Sequence, residues 1–138
     1  MSERTPRYLV IAVGTAGDIY PSMWIATALQ SLGRNIVFIT NSFHAKLVID
    51  AGLPFVGLGT GEEYLRIITD PDLWHPRRGF AALMANYGKL LRQIDDAIRH
   101  ACRPERNVAI VQHCSWLSNT LSGKIWRLVK KHQFTDWP

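Results

Sequence analysis

Residues 8–21 read Tyr8-Leu9-Val10-Ile11-Ala12-Val13-Gly14-Thr15-Ala16-Gly17-Asp18-Ile19-Tyr20-Pro21. The run from Tyr8 to Val13 is continuously apolar and stops at Gly14, which is the pattern of a strand buried on both faces of a parallel sheet. Helical spacing follows: Ile25, Ala28, Leu29 and Leu32 recur at i, i+3, i+4 and i+7 and predict one buried helical face. Pro21 suits the first helical position and Gly33 the left-handed stop. With Pro21 there, Tyr20 becomes the cap and Asp18 stays outside the helix.

The same unit then repeats. Ile36 to Thr40 is a second strand-like run, and a helix through Phe43, Leu47, Val48 and Ala51 ends at Gly52. Phe55-Val56-Gly57-Leu58 is a third strand, closed by Gly59-Thr60-Gly61. A short helix is expected from Glu62 to Thr69, and the two prolines and the glycine of residues 70–79 exclude helix there. Phe80, Leu83, Met84, Tyr87, Leu91, Ile94, Ile98 and Ala101 then form one stripe of a long amphipathic helix ended by Pro104, before a fourth strand over Val108 to Val111. Trp116 to Lys131 reads as a last helix, with Leu117, Leu121, Ile125, Leu128 and Val129 inward. Strands alternating with helices through glycine-marked connections give an α/β class: a Rossmann-like parallel sheet flanked by helices.

At 138 residues the chain fits one domain. No apolar run approaches the roughly 20 residues of a spanning helix, and Met1 to Arg7 lacks the h-region and cleavage site of a secretion signal. Cys102 and Cys114 have no framework spacing, so a reducing, cytoplasmic setting is expected. The net charge of +5 is uneven: Lys124, Arg127, Lys130 and Lys131 face only Asp136 in the last stretch, and the remainder is an ordinary mixed surface. Nucleic acid is therefore not an expected partner. The basic stretch carries Trp116, Trp126 and Trp137, which allows peripheral membrane contact. A helix with one packed face and solvated lysines explains the same residues.

In an open α/β sheet, ligands bind outside the carboxyl ends of the strands, so residues 14–18 are where chemistry is sought. Gly14 and Gly17 let the backbone turn sharply and a ligand approach closely. The spacing is not Gly-x-Gly-x-x-Gly, and the second strand ends in Thr40-Asn41 without an acid for a ribose, so a dinucleotide cofactor is not expected. His75, His100 and His132 have no metal-ligand spacing, and no metal is expected.

The block from Gly14 to Pro21 resembles the first loop of the sterol, macrolide, glycopeptide and rhamnolipid glycosyltransferases, the glycosyltransferase family 28 N-terminal type. The resemblance continues through Ile25-Ala26, Ala28-Leu29, Leu32-Gly33-Arg34, Val37 to Thr40, Ala51-Gly52-Leu53 and Phe55 to Gly59. Asp70-Pro71-Asp72-Leu73-Trp74-His75-Pro76 with Phe80 looks most like the branch that rhamnosylates hydroxy fatty acids. The similarity covers roughly residues 8–112. It implies the N-terminal half of a GT-B fold, with residues 1–113 as the acceptor-side domain. On this resemblance residues 114–138 are expected to be a basic tail that matches the family poorly, and the donor-binding C-terminal domain is expected to be absent. It further implies inverting hexosyl or deoxyhexosyl transfer from a nucleotide-sugar to a hydroxyl of a lipidic or other hydrophobic acceptor, without metal or cofactor. The donor is then engaged only through the missing domain.

The resemblance assigns Asp18 as the catalytic base, with Gly14, Thr15 and Gly17 shaping the substrate loop. The positive end of the following helix favours a negative charge at Asp18, and capping or loop structure is the competing reading. His113, at the end of the fourth strand, and Trp74, with Arg77-Arg78 near it, are candidate acceptor contacts; a packed aromatic, solvated arginines and a structural histidine are the plain readings. His44 in the second βα unit is a possible acceptor contact, with a surface histidine as the favoured plain reading. Three alternatives stay open: an acceptor-binding or split-transferase partner module, a truncated or frameshifted gene product without activity, and a small nucleotide-binding protein unrelated to sugar transfer.

Overall fold

The computed structural model describes residues 6–102 and 108–112. Its strands are β1 (Arg7–Ile11), β2 (Asn35–Asn41), β3 (Phe55–Leu58) and β4 (Val108–Gln112). The helices are α1 (Ala16–Ser31), α2 (Ala45–Asp50), α3 (Gly61–Ile68) and α4 (Gly79–Cys102), with a 3-10 turn over Ser42–His44 ahead of α2. The strands form one parallel sheet in the order β3-β2-β1-β4. In register, Arg7 to Ile11 pair with Asn35 to Ile39 on one side and with Val108 to Gln112 on the other.

Period two in β1 divides the core between two layers. Leu9 and Ile11 point with Ile39 and Leu58 to one face, where Ile94, Ala97, Ile98 and Ala101 of α4 cover them. Val10 and Ala12 point with Ile36 and Phe38 to the other, against Ile19, Met23 and Ala26 of α1 and Val48 of α2. Each fully buried Ile or Leu contributes roughly 1.5–3 kcal/mol of transfer free energy, so the continuous apolar runs are what fix a sheet covered on both faces. The chain runs outward from β1 through β2 to β3, then returns across the sheet to β4. Right-handed crossovers of opposite direction place α1 and α2 on one face and α4 on the other. The reversal makes the end of β1 the topological switch point, the place where open α/β sheets bind ligands. At the opposite end of the sheet, Arg7 Nη1 donates to the Ala101 carbonyl over 2.8 Å and so satisfies the last turn of α4.

Two expectations for α1 are corrected. The helix begins at Ala16 with Thr15 as its N-cap, and Pro21 lies inside it rather than at its first position. Asp18 is thus the third helical residue and no spare loop side chain. Pro21 has no N–H for the Gly17 carbonyl, but Gly17 is exposed, so water can take that acceptor and the helix continues through. The buried face also differs. Ile19, Ser22, Met23 and Ala26 point inward, whereas Ile25 and Leu32 are exposed. Both sets obey the same spacing because α1 is apolar all round, so spacing alone cannot choose between them. In α4 the stripe holds for Ile94, Ile98 and Ala101 but fails at Phe80, which is exposed in the first turn. The C-terminal helix expected over 116–131 lies outside the described residues.

Candidate functional site

The carboxyl edge of the sheet gathers three segments: Gly14 to Asp18 after β1, Ser42 to His44 after β2, and Gly59 to Glu63 after β3. Two of them use one device. Gly14-Thr15-Ala16-Gly17-Asp18 and Gly59-Thr60-Gly61-Glu62-Glu63 each set a threonine cap and an acid three residues later behind a glycine with positive φ, +139° at Gly14 and +60° at Gly59. The acid reaches back to the cap amide: Asp18 Oδ2 accepts from Thr15 N–H at 2.9 Å, and Glu63 Oε2 from Thr60 N–H at 3.2 Å. Gly14 is obligatory for this closure, because a Cβ there would stand 2.3 Å from Asp18 Oδ2.

The two boxes differ in what remains free. Both oxygens of Glu63 are engaged, Oε1 by the Lys89 ammonium and Oε2 by Thr60 N–H and Gln93 Nε2. The Lys89 contact first, then the Thr60 backbone, holds the Glu63 carboxyl below its ordinary range. This box is a structural joint between α3 and α4. At Asp18, Thr15 N–H and Thr15 Oγ1, the latter at 3.2 Å, both converge on Oδ2. No hydrogen bond reaches Oδ1 among the described residues, and Asp18 is only half-buried. Capping therefore engages Oδ2 alone among the described residues.

Behind this loop sit three rings. Tyr64 of α3 stacks on Phe43 with centroids 4.7 Å apart, and His44 meets both edge-on, at 5.1 Å from Tyr64 and 5.2 Å from Phe43. The Tyr64 hydroxyl donates to the Gly14 carbonyl at 3.3 Å. Burial, and after it the charge of Asp18, raises the Tyr64 phenol above its ordinary value, so it remains a donor. His44 is buried rather than on the surface, at 6% exposure, which corrects its reading as a surface histidine. Its ring is covered by Phe43 and Tyr64, which pair spacing along the chain does not reveal. Burial lowers its basicity, offset in part by the Gly14 backbone beside it. Its Nε2 is buried with no hydrogen-bond partner among the described residues.

The other expected residues lie apart. Gly14, Thr15, Gly17 and Asp18 come together as one loop. Trp74 lies in the turns between α3 and α4, 70% exposed, with Nε1 donating to the Ile68 carbonyl. Among the described residues, no hydrogen bond or ring contact joins it to the loop. His75 Nδ1 accepts from the amides of Arg77 and Arg78, and Arg78 pairs with Asp72 at 3.0 Å, so this segment is a self-bonded turn. His113 lies outside the described residues. Among the described residues there is no cluster of metal-ligating side chains and no helix long and apolar enough to cross a membrane.

Solved structures share this architecture. SsfS6, a glycosyltransferase of Streptomyces sp. SF2575, superposes with a TM-score of 0.57 at 21% identity over 78% of this chain and 33% of its own. SnogD, a glycosyltransferase from Streptomyces nogalater, gives 0.57 at 25% identity over 79% of this chain and 30% of its own. SsfS6 in complex with thymidine diphosphate gives 0.60 at 17% identity, over 96% of this chain and 47% of its own. The chain thus spans between 30% and 47% of the glycosyltransferases it matches. Among curated proteins none matches. The parallel sheet with helices on both faces is the Rossmann-like N-terminal half of a GT-B glycosyltransferase fold. The family model for the glycosyltransferase family 28 N-terminal domain matches residues 8–118, and the chain belongs to that family.

Proposed function

We propose that the chain is the acceptor-side half of a nucleotide-sugar-dependent glycosyltransferase, with Asp18 as the base that deprotonates the acceptor hydroxyl. The observation that carries this reading is the division of labour in the Asp18 carboxylate. Oδ2 is anchored by Thr15, while Oδ1, at the switch point of the sheet, has no hydrogen-bond partner among the described residues. A general base must be held in place and still have a lone pair to spend. The equivalent acid of the Glu63 box has both oxygens engaged and could not serve. In the reaction, the acceptor oxygen attacks the anomeric carbon as its proton passes to Oδ1 and the nucleoside diphosphate leaves, with inversion and without metal.

The acceptor is a hydroxyl on a lipidic or otherwise hydrophobic molecule. Exposed apolar side chains on the elements around the carboxyl edge support this: Phe43 after β2, Leu65 on α3, Trp74 in the following turns and Phe80 at the start of α4. His113 is proposed as a further acceptor contact at the end of β4. The donor is bound by a second domain of the kind the longer matched glycosyltransferases have room for.

The test joins this domain to the donor-binding half of a family member and measures transfer. Asp18→Asn is expected to lower turnover roughly 10²–10⁴-fold, the worth of a general base. Its melting temperature should stay near that of the parent, because Asn keeps an oxygen for the cap. Near-normal turnover in the folded variant would return Asp18 to capping alone and favour an acceptor-binding module.

A further inference from the structure

The 14–15 peptide is gripped at both ends. Its carbonyl, belonging to Gly14, accepts from the Tyr64 hydroxyl, and its N–H, belonging to Thr15, donates to Asp18 Oδ2. A peptide unit is planar and trans, so its C=O and N–H point in opposite directions and turn together as one rigid plate. Rotation of that plate moves both bonds at once. Gly14, at φ +139°, has no Cβ to resist rotation, and a Cβ would in any case collide with the carboxylate. The backbone here is therefore intrinsically soft, and its orientation has to come from tertiary contacts.

We infer that Tyr64, with His44 beside it, is a positioning residue that fixes the 14–15 peptide plane and through it the direction of the free oxygen of Asp18. The inference rests on the reading of Asp18 as the base. Tyr64 reaches the loop from 50 residues further along the chain, which makes its contact the long-range restraint on an otherwise local turn. Its ring is immobilised by the stack on Phe43 and the edge of His44. The hydroxyl, the amide and the carboxylate form a donor–acceptor series in which each hydrogen bond polarises the next. A carbonyl oxygen has two lone pairs and Tyr64 uses one. Among the described residues the buried His44 Nε2 has no hydrogen-bond partner, and its ring lies edge-on against the same tyrosine. His44 thus holds the tyrosine ring from its edge, at 5.1 Å, while Phe43 stacks on its face.

Isotope-labelled 138-residue chain tests this by NMR, with two readouts. One is exchange of the Thr15 amide with solvent, and the other is the resonance of the Asp18 carboxyl carbon. Tyr64→Phe keeps the ring and its stack and removes only the donor. It should speed Thr15 exchange roughly tenfold by freeing the peptide plane locally. It should also shift the Asp18 carboxyl signal while Val10 and Ile39 keep their protection. His44→Gln should move the same two signals by less, and Phe43→Leu should leave the Asp18 signal in place. Thr15 exchange within twofold of the parent and an unmoved Asp18 signal in Tyr64→Phe would overturn the inference. So would faster exchange extending to Val10 and Ile39, which would make Tyr64 a general packing residue. These signals need no sugar transfer, so the outcome is separate from that of Asp18→Asn: a loop that responds while Asp18→Asn remains active would refute the base and leave the positioning of the loop intact.

Discussion

Gly14 and Asp18 share one volume, and that makes the pair a sharp test of the loop. Gly14→Ala adds a Cβ where Asp18 Oδ2 now lies, at a backbone angle that L-residues rarely adopt. It should lower unfolding free energy by about 1–3 kcal/mol in urea titrations. Part of that cost is the clash with the carboxylate, so Gly14→Ala with Asp18→Ala should lose less than the two single variants together. Strict additivity would mean that backbone strain alone sets the cost. His44 gives a second test at this scale, and its sign follows from linkage. Burial lowers its folded pKa below the ordinary 6.5, so between those two values the unfolded chain binds more protons than the folded one. The stability this gives is present above pH 6.5 and is lost as pH falls from there toward the lowered folded value. Melting temperatures of the parent should therefore drop more steeply on acidification than those of His44→Gln; parallel curves would show that the imidazole is not desolvated. Tyr64 does not stand out in the sequence as a site residue, and His44 does so only as a possible acceptor contact. Their roles come from each other and from a carbonyl 50 residues from Tyr64, and such contacts leave no spacing to read.

Among the elements, the strands were legible and α1 was only half so. Tyr8 to Val13, Ile36 to Thr40 and Phe55 to Leu58 are short apolar runs with glycine or polar ends, and a two-sided parallel sheet is the simplest way to bury them. Gly33 and Gly52, at φ +72° and +73°, end their helices where the sequence placed the stops. The start of α1 was misjudged because two signals compete there. Pro21 favours a first helical position, but the Thr15-x-x-Asp18 box lies upstream and supplies the amide with a partner, so the helix begins at the box. Its inward face was misjudged because Trp24, Ile25 and Leu32 are as apolar as the residues that pack. The assignment of faces is checked by paired truncations. Ile19→Ala, in the cluster of α1 with the sheet, should cost about 2–5 kcal/mol. Leu32→Ala, at 72% exposure, should stay within about 0.5 kcal/mol. Equal losses in denaturant titrations would mean that both faces of α1 are covered.

At the scale of the whole molecule, the arrangement of charge along the carboxyl edge bears on which substrate the proposed transferase would take there. A helix N-terminus offers free amides and a positive dipole end, which is how α/β proteins commonly hold a diphosphate. α1 and α3 begin at this edge behind glycine turns, each with its first turn supplied with a carboxylate from its own chain, whereas α4, which also starts on this side, has no acid in its first turn. Asp18 lies over the amide of Thr15 and Glu63 over that of Thr60. A pyrophosphate approaching either helix meets a negative charge already seated there, and neither loop has the glycine spacing that lets a backbone wrap a dinucleotide. A neutral hydroxyl meets no such repulsion and finds a carboxylate oxygen with no hydrogen-bond partner among the described residues. On the proposed reading, the α1 and α3 termini therefore suit a neutral acceptor better than a diphosphate; the chain spans between 30% and 47% of the three glycosyltransferase structures compared. The isolated 138-residue chain is accordingly expected to show no binding of UDP- or dTDP-sugars at micromolar concentration in calorimetry. Asp18→Asn, which removes one of the two charges, should by itself raise that affinity only slightly, because Glu63 and the missing glycine geometry remain. Micromolar binding of either nucleotide-sugar to the parent chain would overturn the division of substrates and favour a nucleotide-binding domain. Binding that appears only when a donor-binding half is added would support it.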